Sequence, residues 1–333
     1  MTSGYDVHDH ERFDRPGRRS RPRTKQRPAH EDARLARVIT IDRGRYTLLL
    51  DDADVDGLVM AMKARALGRG SIVVGDDVRV VGDVSGADGT LARIVRVEPR
   101  RTVLRRTADD DDPIERVVVA NADQLVIVVA LADPEPRPRL IDRCLVAAYD
   151  AGMDPLLCLT KADLRASNEE LARYEPLGVP TVTTRQGGNL DVVREALRDR
   201  ISVLVGHSGV GKSTLVNALV PGADRVTSGV NVVTGRGRHT STSAYALRLP
   251  FGGWIVDTPG IRSFGLAHVE PDHVLSAFGD LAEAATACPR GCTHTADEAE
   301  CGLDAAVAAG QISAERVDSF RRLLISREQP VAD

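Results

Sequence analysis

Beyond residue 36 the chain passes through three hydropathy patterns. In the first, "RVITIDRGRYTLLLDD", "SIVVGDDVRVVGDV" and "LARIVRVEP" give short β-rich apolar runs broken by Gly44, Gly75 and Gly86–Gly89. Over about 70 residues this predicts four or five strands in a small barrel, with no long amphipathic helix. Two of the strands are expected at Arg37–Asp42 and Arg45–Asp51. The pattern does not separate an SH3-like barrel from an OB-fold. Nor does it say whether such a barrel binds an oligonucleotide or only packs against its neighbour.

An acidic run with a proline, "RRTADDDDPIER", marks a boundary. The second pattern follows it. "QLVIVVAL" and "PLLCLTK" are almost continuously apolar, as strands buried on both faces of a parallel sheet must be. Leu140–Ala151 between them has helical spacing, and "VPTVTT", "ISVLVG" and "GGWIVDTPG" supply further strands. Strands alternating with helices predict a doubly wound α/β domain over residues 113–267. Past residue 268 the pattern turns helical to the end at 333. The expected organisation is a tail at 1–35, a barrel at 36–105, the α/β domain, and a helical domain at 268–333.

Charge changes this picture at one end only. The 333 residues carry a net −4, which argues against a uniformly basic nucleic-acid binder. Residues 1–37, however, hold ten Lys/Arg against six Asp/Glu, leaving +4 there and −8 on the remainder. "RPGRRSRPRTKQR" has almost no apolar residue and is expected to be disordered. It reads as a solvated tail or as an arm drawn to phosphate backbones. No apolar segment follows its charges, so it is not a signal peptide. The longest apolar run, Leu125–Ala132, is too short to span a bilayer, and the expected location is the cytoplasm with no membrane partner.

Specific chemistry begins at Gly206-His207-Ser208-Gly209-Val210-Gly211-Lys212-Ser213, which matches G-x4-G-K-[ST] between a strand and a helix that opens at Thr214. The glycines let backbone N–H groups converge on an anion at a helix N-terminus. Lys212 offers a point charge to β/γ-phosphates, and the Ser213 hydroxyl can ligate Mg²⁺. Asp257-Thr258-Pro259-Gly260 follows about 45 residues later, behind a buried strand, and fits D-x-x-G. There Asp257 would hold Mg²⁺ through a water, and the Gly260 N–H would sense a γ-phosphate.

Before the phosphate loop stands Thr160-Lys161-Ala162-Asp163, close to the guanine-reading N-K-x-D. Asp163 can accept from guanine N1–H and the 2-amino group, and Lys161 can lay its stem across the base. Thr160 replaces the usual Asn: it keeps a hydroxyl donor and loses one amide hydrogen bond. "VTTRQGGNL" follows with Thr183 and Thr184 where a fifth GTPase motif would meet the base. The order is thus base motif, fifth motif, phosphate loop, D-x-x-G. A site built at the carboxyl ends of parallel strands depends on where the strands lie and not on their order in the chain. The chain therefore reads as a circularly permuted P-loop GTPase, with its D-x-x-G switch leading directly into the C-terminal domain. A P-loop kinase would explain neither Asp163 nor the cysteines.

Five cysteines are too few and too unevenly placed for a disulfide framework. Cys144 and Cys158 lie in apolar segments as core residues. Cys288, Cys292, His294 and Cys301 crowd into "CPRGCTHTADEAEC" as a Cys₃His set, the donors of one closed, structural Zn²⁺ site.

This order of motifs, with a β-barrel before it and a Cys/His cluster after it, resembles the ribosome small subunit-dependent GTPases of the RsgA (YjeQ) family. The resemblance covers about residues 36–328 and includes "VANADQLVIVVAL", "RLIDRCLVAA", "GRGRHTSTSAYALRLP" and "DTPGIRSFGL". It implies an OB-fold for the barrel, and GTP hydrolysis stimulated by the small ribosomal (30S) subunit late in its maturation. The implied partners are that subunit, its rRNA and GTP/GDP, with Mg²⁺ accompanying the nucleotide and the chain acting as a monomer. Where Ras-like enzymes place a water-orienting Gln this chain has Ile261, and the resemblance implies that His239 of switch I takes that part. Among Thr240, Ser241 and Thr242 it points to Ser241 as the switch-I Mg²⁺ ligand. The family's zinc pattern is C-x4-C-x-H-x5-C; here it is C-x3-C-x-H-x6-C, with each outer spacing shifted by one. The other reading of the same residues is a nucleotide-gated rRNA-binding module with negligible catalysis.

Overall fold

The computed structural model describes residues 30–51, 57–68, 71–107, 115–223, 244–258, 264, 266 and 269–328. The basic tail read at 1–35 lies outside them except for its last six residues. So do Pro259 to Ser263 and the whole of "HTST", with His239 and Ser241.

Five strands make the barrel: β1 (Arg34–Asp42), β2 (Arg45–Leu50), β3 (Leu58–Lys63), β4 (Asp77–Val81) and β5 (Ala92–Val97). Their order is β1-β2-β3-β5-β4 with β4 closing back on β1, and β3 and β5 run parallel while the other pairs are antiparallel. This is the five-stranded Greek-key closure of an OB-fold, the choice that hydropathy alone left open. Arg43 and Gly44, both with positive φ, make the tight turn between β1 and β2. Inside lie Val38, Leu48, Val59, Val78 and Ile94, each at most 1% exposed. The sequence reading named no strand at β3. "LVMAMK" carries Met, Ala and Lys, which favour helix, and becomes a strand because β2 and β5 pair with it on either side.

β6 (Val103–Thr107) and β7 (Glu115–Ala120) follow and pair antiparallel, so the acidic run joins two strands of one hairpin. The hairpin is stitched to the barrel through Asn121. Its side chain donates to Gly75 O at 3.0 Å and accepts from Arg101 N at 2.8 Å. A Cβ on Gly75, whose φ is +88°, would collide with the Ala120 carbonyl, so glycine is required there.

The remaining strands are β8 (Gln124–Ala130), β9 (Asp154–Thr160), β10 (Thr181–Thr183), β11 (Ile201–Val205), β12 (Tyr245–Arg248) and β13 (Trp254–Asp257). They lie in the order β10-β9-β8-β11-β13-β12, parallel except for β12. Alternate residues of β8 enter different cores. Leu125, Ile127 and Val129 face one side of the sheet, and Val126, Val128 and Ala130 face the other. That is why the run reads as continuously apolar.

Helix α1 (Pro138–Asp150), with proline in its first turn, packs on the first side. Helices α2 (Asp191–Leu197) and α3 (Lys212–Leu219) bury Val193, Leu215 and Val216 in the core of the second. The barrel is continuous with this sheet, because β1 pairs antiparallel with β12 at Thr40 and Tyr245.

The C-terminal region is helical, as expected: α4 (Pro271–Ser276), α5 (Gly279–Ala285), α6 (Gly302–Ala308) and α7 (Ala314–Glu328). It shares the α1-side core through Phe278, Phe320 and Leu323. Phe278 stacks edge-on against Tyr149 of α1 and Phe320 of α7, at 4.8 and 5.8 Å between centroids. Arg143 of α1, only 4% exposed, donates to the carbonyls of Phe264 and Ser326. The chain just beyond the D-x-x-G segment is thereby tied to α1 and to α7. Among the described residues no helix is long and apolar enough to cross a membrane.

Candidate functional site

Three of the four motifs converge at the carboxyl ends of β9, β10 and β11. Thr160 at the end of β9, Lys161, Asp163 and Leu164 from the loop after it, Thr184 to Gly188 from the loop after β10, and Gly211 and Thr214 at the start of α3 line one cavity of about 330 Å³. It is open to solvent and large enough for a purine base. Asp163 Oδ1 accepts from Gln186 N at 3.1 Å, and Ala162 N donates to Thr184 O at 3.2 Å. These bonds fix the base loop against the fifth-motif loop. Lys161 adopts φ +59°, unusual for a residue with a side chain, and its ammonium donates to Asp133 O.

Thr160 is 5% exposed, and its hydroxyl donates to Val210 O at 2.6 Å. The residue that departs from the usual Asn therefore bridges the base loop to the phosphate loop. Thr183 does not line the cavity; its side chain faces solvent from the short edge strand β10. Sequence reasoning missed Leu164, Gln186 and Leu190 at the cavity wall. Their adjacency to T-K-A-D and to T-T-R was the available signal.

The phosphate loop runs from Gly206 into α3 as its spacing predicts. Gly206, Gly209 and Gly211 have φ of +151°, +83° and +94°. A Cβ on Gly206 would collide with Val128 O, so a glycine lets the loop pass over β8. His207 and Ser208 form the crest, with His207 Nδ1 2.8 Å from Ser208 O. The Lys212 ammonium donates to the Gly206 and His207 carbonyls, which holds it at the mouth of the loop beside Ser213.

Asp257 ends β13, next to β11 in the sheet. Its Oδ2 accepts from the Tyr245 hydroxyl at 2.9 Å, while Oδ1 is buried without a hydrogen-bond partner among the described residues. A buried carboxylate oxygen left unmatched fits a cation-bound water as its partner. The donor set therefore fits Mg²⁺ held by Ser213 and Asp257. Gly260, Ile261, His239 and Ser241 fall outside the described residues.

In the second cluster, ligand atoms of Cys288, Cys292, His294 and Cys301 lie within 4.8 Å of one another. His294 Nδ1 is 3.5, 3.6 and 3.9 Å from the three sulfurs. Tetrahedral zinc with bonds of about 2.3 Å to sulfur and 2.0 Å to nitrogen sets neighbouring ligands roughly 3.5 Å apart, so the residues can hold a zinc ion. The shifted spacing does not keep them from meeting: His294 takes φ +60° and turns its ring inward. Gly302 N and His294 N donate to Cys288 and Cys292 sulfurs at 3.1 and 3.4 Å. Burial holds the His294 imidazole below its ordinary pKa and pushes the Cys292 thiol up to about 11. Cys144 and Cys158 are buried apart from this site with thiols pushed up to about 12, as core residues.

The family model described as RsgA GTPase matches residues 97–267. The small ribosomal subunit biogenesis GTPase RsgA 1 of Vibrio vulnificus (strain YJ016) is 38% identical over 311 residues, covering 91% of this chain and 86% of that protein. The small ribosomal subunit biogenesis GTPase RsgA of Azotobacter vinelandii is 40% identical over 291 residues, covering 84% and 82%. Among solved structures, YjeQ from Thermotoga maritima superposes with a TM-score of 0.64 at 27% identity, covering 90% of this chain and 100% of that one. YloQ, described as a circularly permuted GTPase, superposes at 0.63 with 22% identity and 92% of this chain covered, a likeness of fold.

Proposed function

Since this chain belongs to the RsgA GTPase family, we propose that it works as a nucleotide-controlled maturation factor at the site just described. It is a GTPase of small ribosomal subunit biogenesis, and it hydrolyses GTP to GDP and phosphate. We infer that it binds the subunit and its rRNA in the GTP state, acts late in maturation and leaves after hydrolysis. It does so in the cytoplasm, as a monomer.

The observation that carries the nucleotide site is the single cavity shared by Asp163, Thr184 and the start of α3. Asp163 would accept from guanine N1–H and the 2-amino group, and the Lys161 stem would cover one face of the base. The Gly206–Ser213 backbone and the Lys212 ammonium would cradle the phosphates at the N-terminus of α3. Mg²⁺, held by Ser213, through water by Asp257, and by Ser241 in the GTP state, would neutralise charge between the β- and γ-phosphates. The Gly260 N–H would report the γ-phosphate, and its loss would move the segment that Phe264 and Arg143 tie to α7. His239 would orient the attacking water. One Zn²⁺ on Cys288, Cys292, His294 and Cys301 would hold the C-terminal helices together.

Asp163→Asn tests the base assignment. Guanine then meets an amide where it needs an acceptor, and GTP binding is expected to weaken by roughly 1–3 kcal/mol, the cost of unmet polar partners. Titration with fluorescent GTP and ATP analogues reads this out. A variant that binds GTP as wild type does, and ATP no better, refutes the assignment.

A further inference from the structure

Tyr245 and Asp257 stand directly opposite each other on β12 and β13. The next pair of the same parity, Leu247 and Ile255, enters the core that holds Leu215, Val216 and Leu219 of α3. Both side chains therefore lie on the α3 face of the sheet, the face whose helix opens with Lys212 and Ser213. The two carboxylate oxygens of Asp257 differ sharply. Oδ2 is held by the Tyr245 hydroxyl at 2.9 Å, and Oδ1 is buried with no partner among the described residues. The backbone of Tyr245 is fixed in turn, paired with Asp257 on one side and with Thr40 of the barrel on the other.

We infer that Tyr245 is a positioning residue for the nucleotide's Mg²⁺: its hydroxyl locks the Asp257 carboxylate so that Oδ1 is presented to the water on the cation. The inference rests on the reading of Asp257 as the Mg²⁺-side carboxylate. Rotation about the last bond of an aspartate is broad and weakly restrained. Without a donor on Oδ2 the carboxylate samples orientations that the cation must then select. Partners that orient metal-binding groups commonly change metal affinity 10–100-fold when removed. Because Asp257 acts through a water, the smaller figure applies. Tyr245 thus links the cation site to the barrel through a single strand.

The test is fluorescent GDP binding by the full chain across a Mg²⁺ titration, and again in excess EDTA, for wild type and Tyr245→Phe. Phenylalanine keeps the ring and removes only the hydroxyl. The expected result is a Mg²⁺ midpoint raised about tenfold, with GDP affinity in EDTA unchanged. Identical Mg²⁺ midpoints overturn the inference. Equal weakening with and without Mg²⁺ overturns it too, since the tyrosine then acts only through packing. If wild-type binding itself ignores Mg²⁺, the assignment of Asp257 fails and the role of Tyr245 falls with it.

Discussion

His239→Ala is expected to abolish most of the subunit-stimulated GTP hydrolysis, by about 10²–10⁴-fold, the contribution of a positioned side chain that manages the attacking water and its proton. Ile261 occupies the place where Ras-like enzymes carry a water-orienting Gln, and an aliphatic side chain has no hydrogen bond to offer. Unaided turnover should accordingly be slow. Docking on the small subunit would bring His239 to the water, in a switch transition of the kind GTPases commonly use. GTP affinity, which the proposed site assigns to Lys212, Ser213 and Asp163, should barely change in His239→Ala, and release of the factor from the particle should slow. Lys212→Ala should instead weaken binding itself, since it removes the charge at the mouth of the phosphate loop. Stimulated turnover measured beside nucleotide affinity separates the two variants. Wild-type stimulated turnover by His239→Ala would leave the histidine an rRNA contact or a structural residue.

Cys292→Ser is expected to unfold the C-terminal helices while the nucleotide site survives. In small zinc domains the metal supplies about 10–16 kcal/mol of apparent folding free energy. Here the four ligands join the segment between α5 and α6 to the start of α6, and Cys301 is itself part of the α1-side core. One missing thiolate leaves three ligands and an open position. The purified chain should hold about one Zn²⁺, as one closed Cys₃His site requires. The variant should lose helical circular dichroism and C-terminal protease resistance yet still bind GDP. Two results would contradict this: metal-free protein after purification without chelators, or a folded variant that no longer binds nucleotide.

What could be read in advance divides along a physical line. Chemistry confined to one loop was legible: Gly206 to Ser213 requires glycines, a lysine and a hydroxyl in fixed order, and the loop forms where that order places it. The buried strands β8 and β9 were legible because a strand covered on both faces must be apolar throughout. Features that depend on register were not. β3 carries no strand signal of its own until β2 and β5 flank it, and the acidic run looks like a boundary until β6 and β7 pair across it. The bond from Thr160 to Val210 O spans 50 residues, and that from Tyr245 to Asp257 crosses two strands; neither leaves a mark in spacing. Which of the two threonines of the fifth motif meets the cavity is likewise not marked in the sequence. On the edge strand β10 Thr183 is exposed, while Thr184, just past its end, is buried and lines the cavity.

Whether the subunit drives hydrolysis is decided by GTP turnover of the purified chain with and without purified small ribosomal subunits. Turnover should be slow alone and rise many-fold when subunits are added, with Lys212→Ala flat in both conditions at limiting GTP. Turnover that stays slow and unchanged in the presence of subunits that bind the protein would contradict it, and would leave a nucleotide-gated rRNA-binding module in place of a subunit-stimulated enzyme.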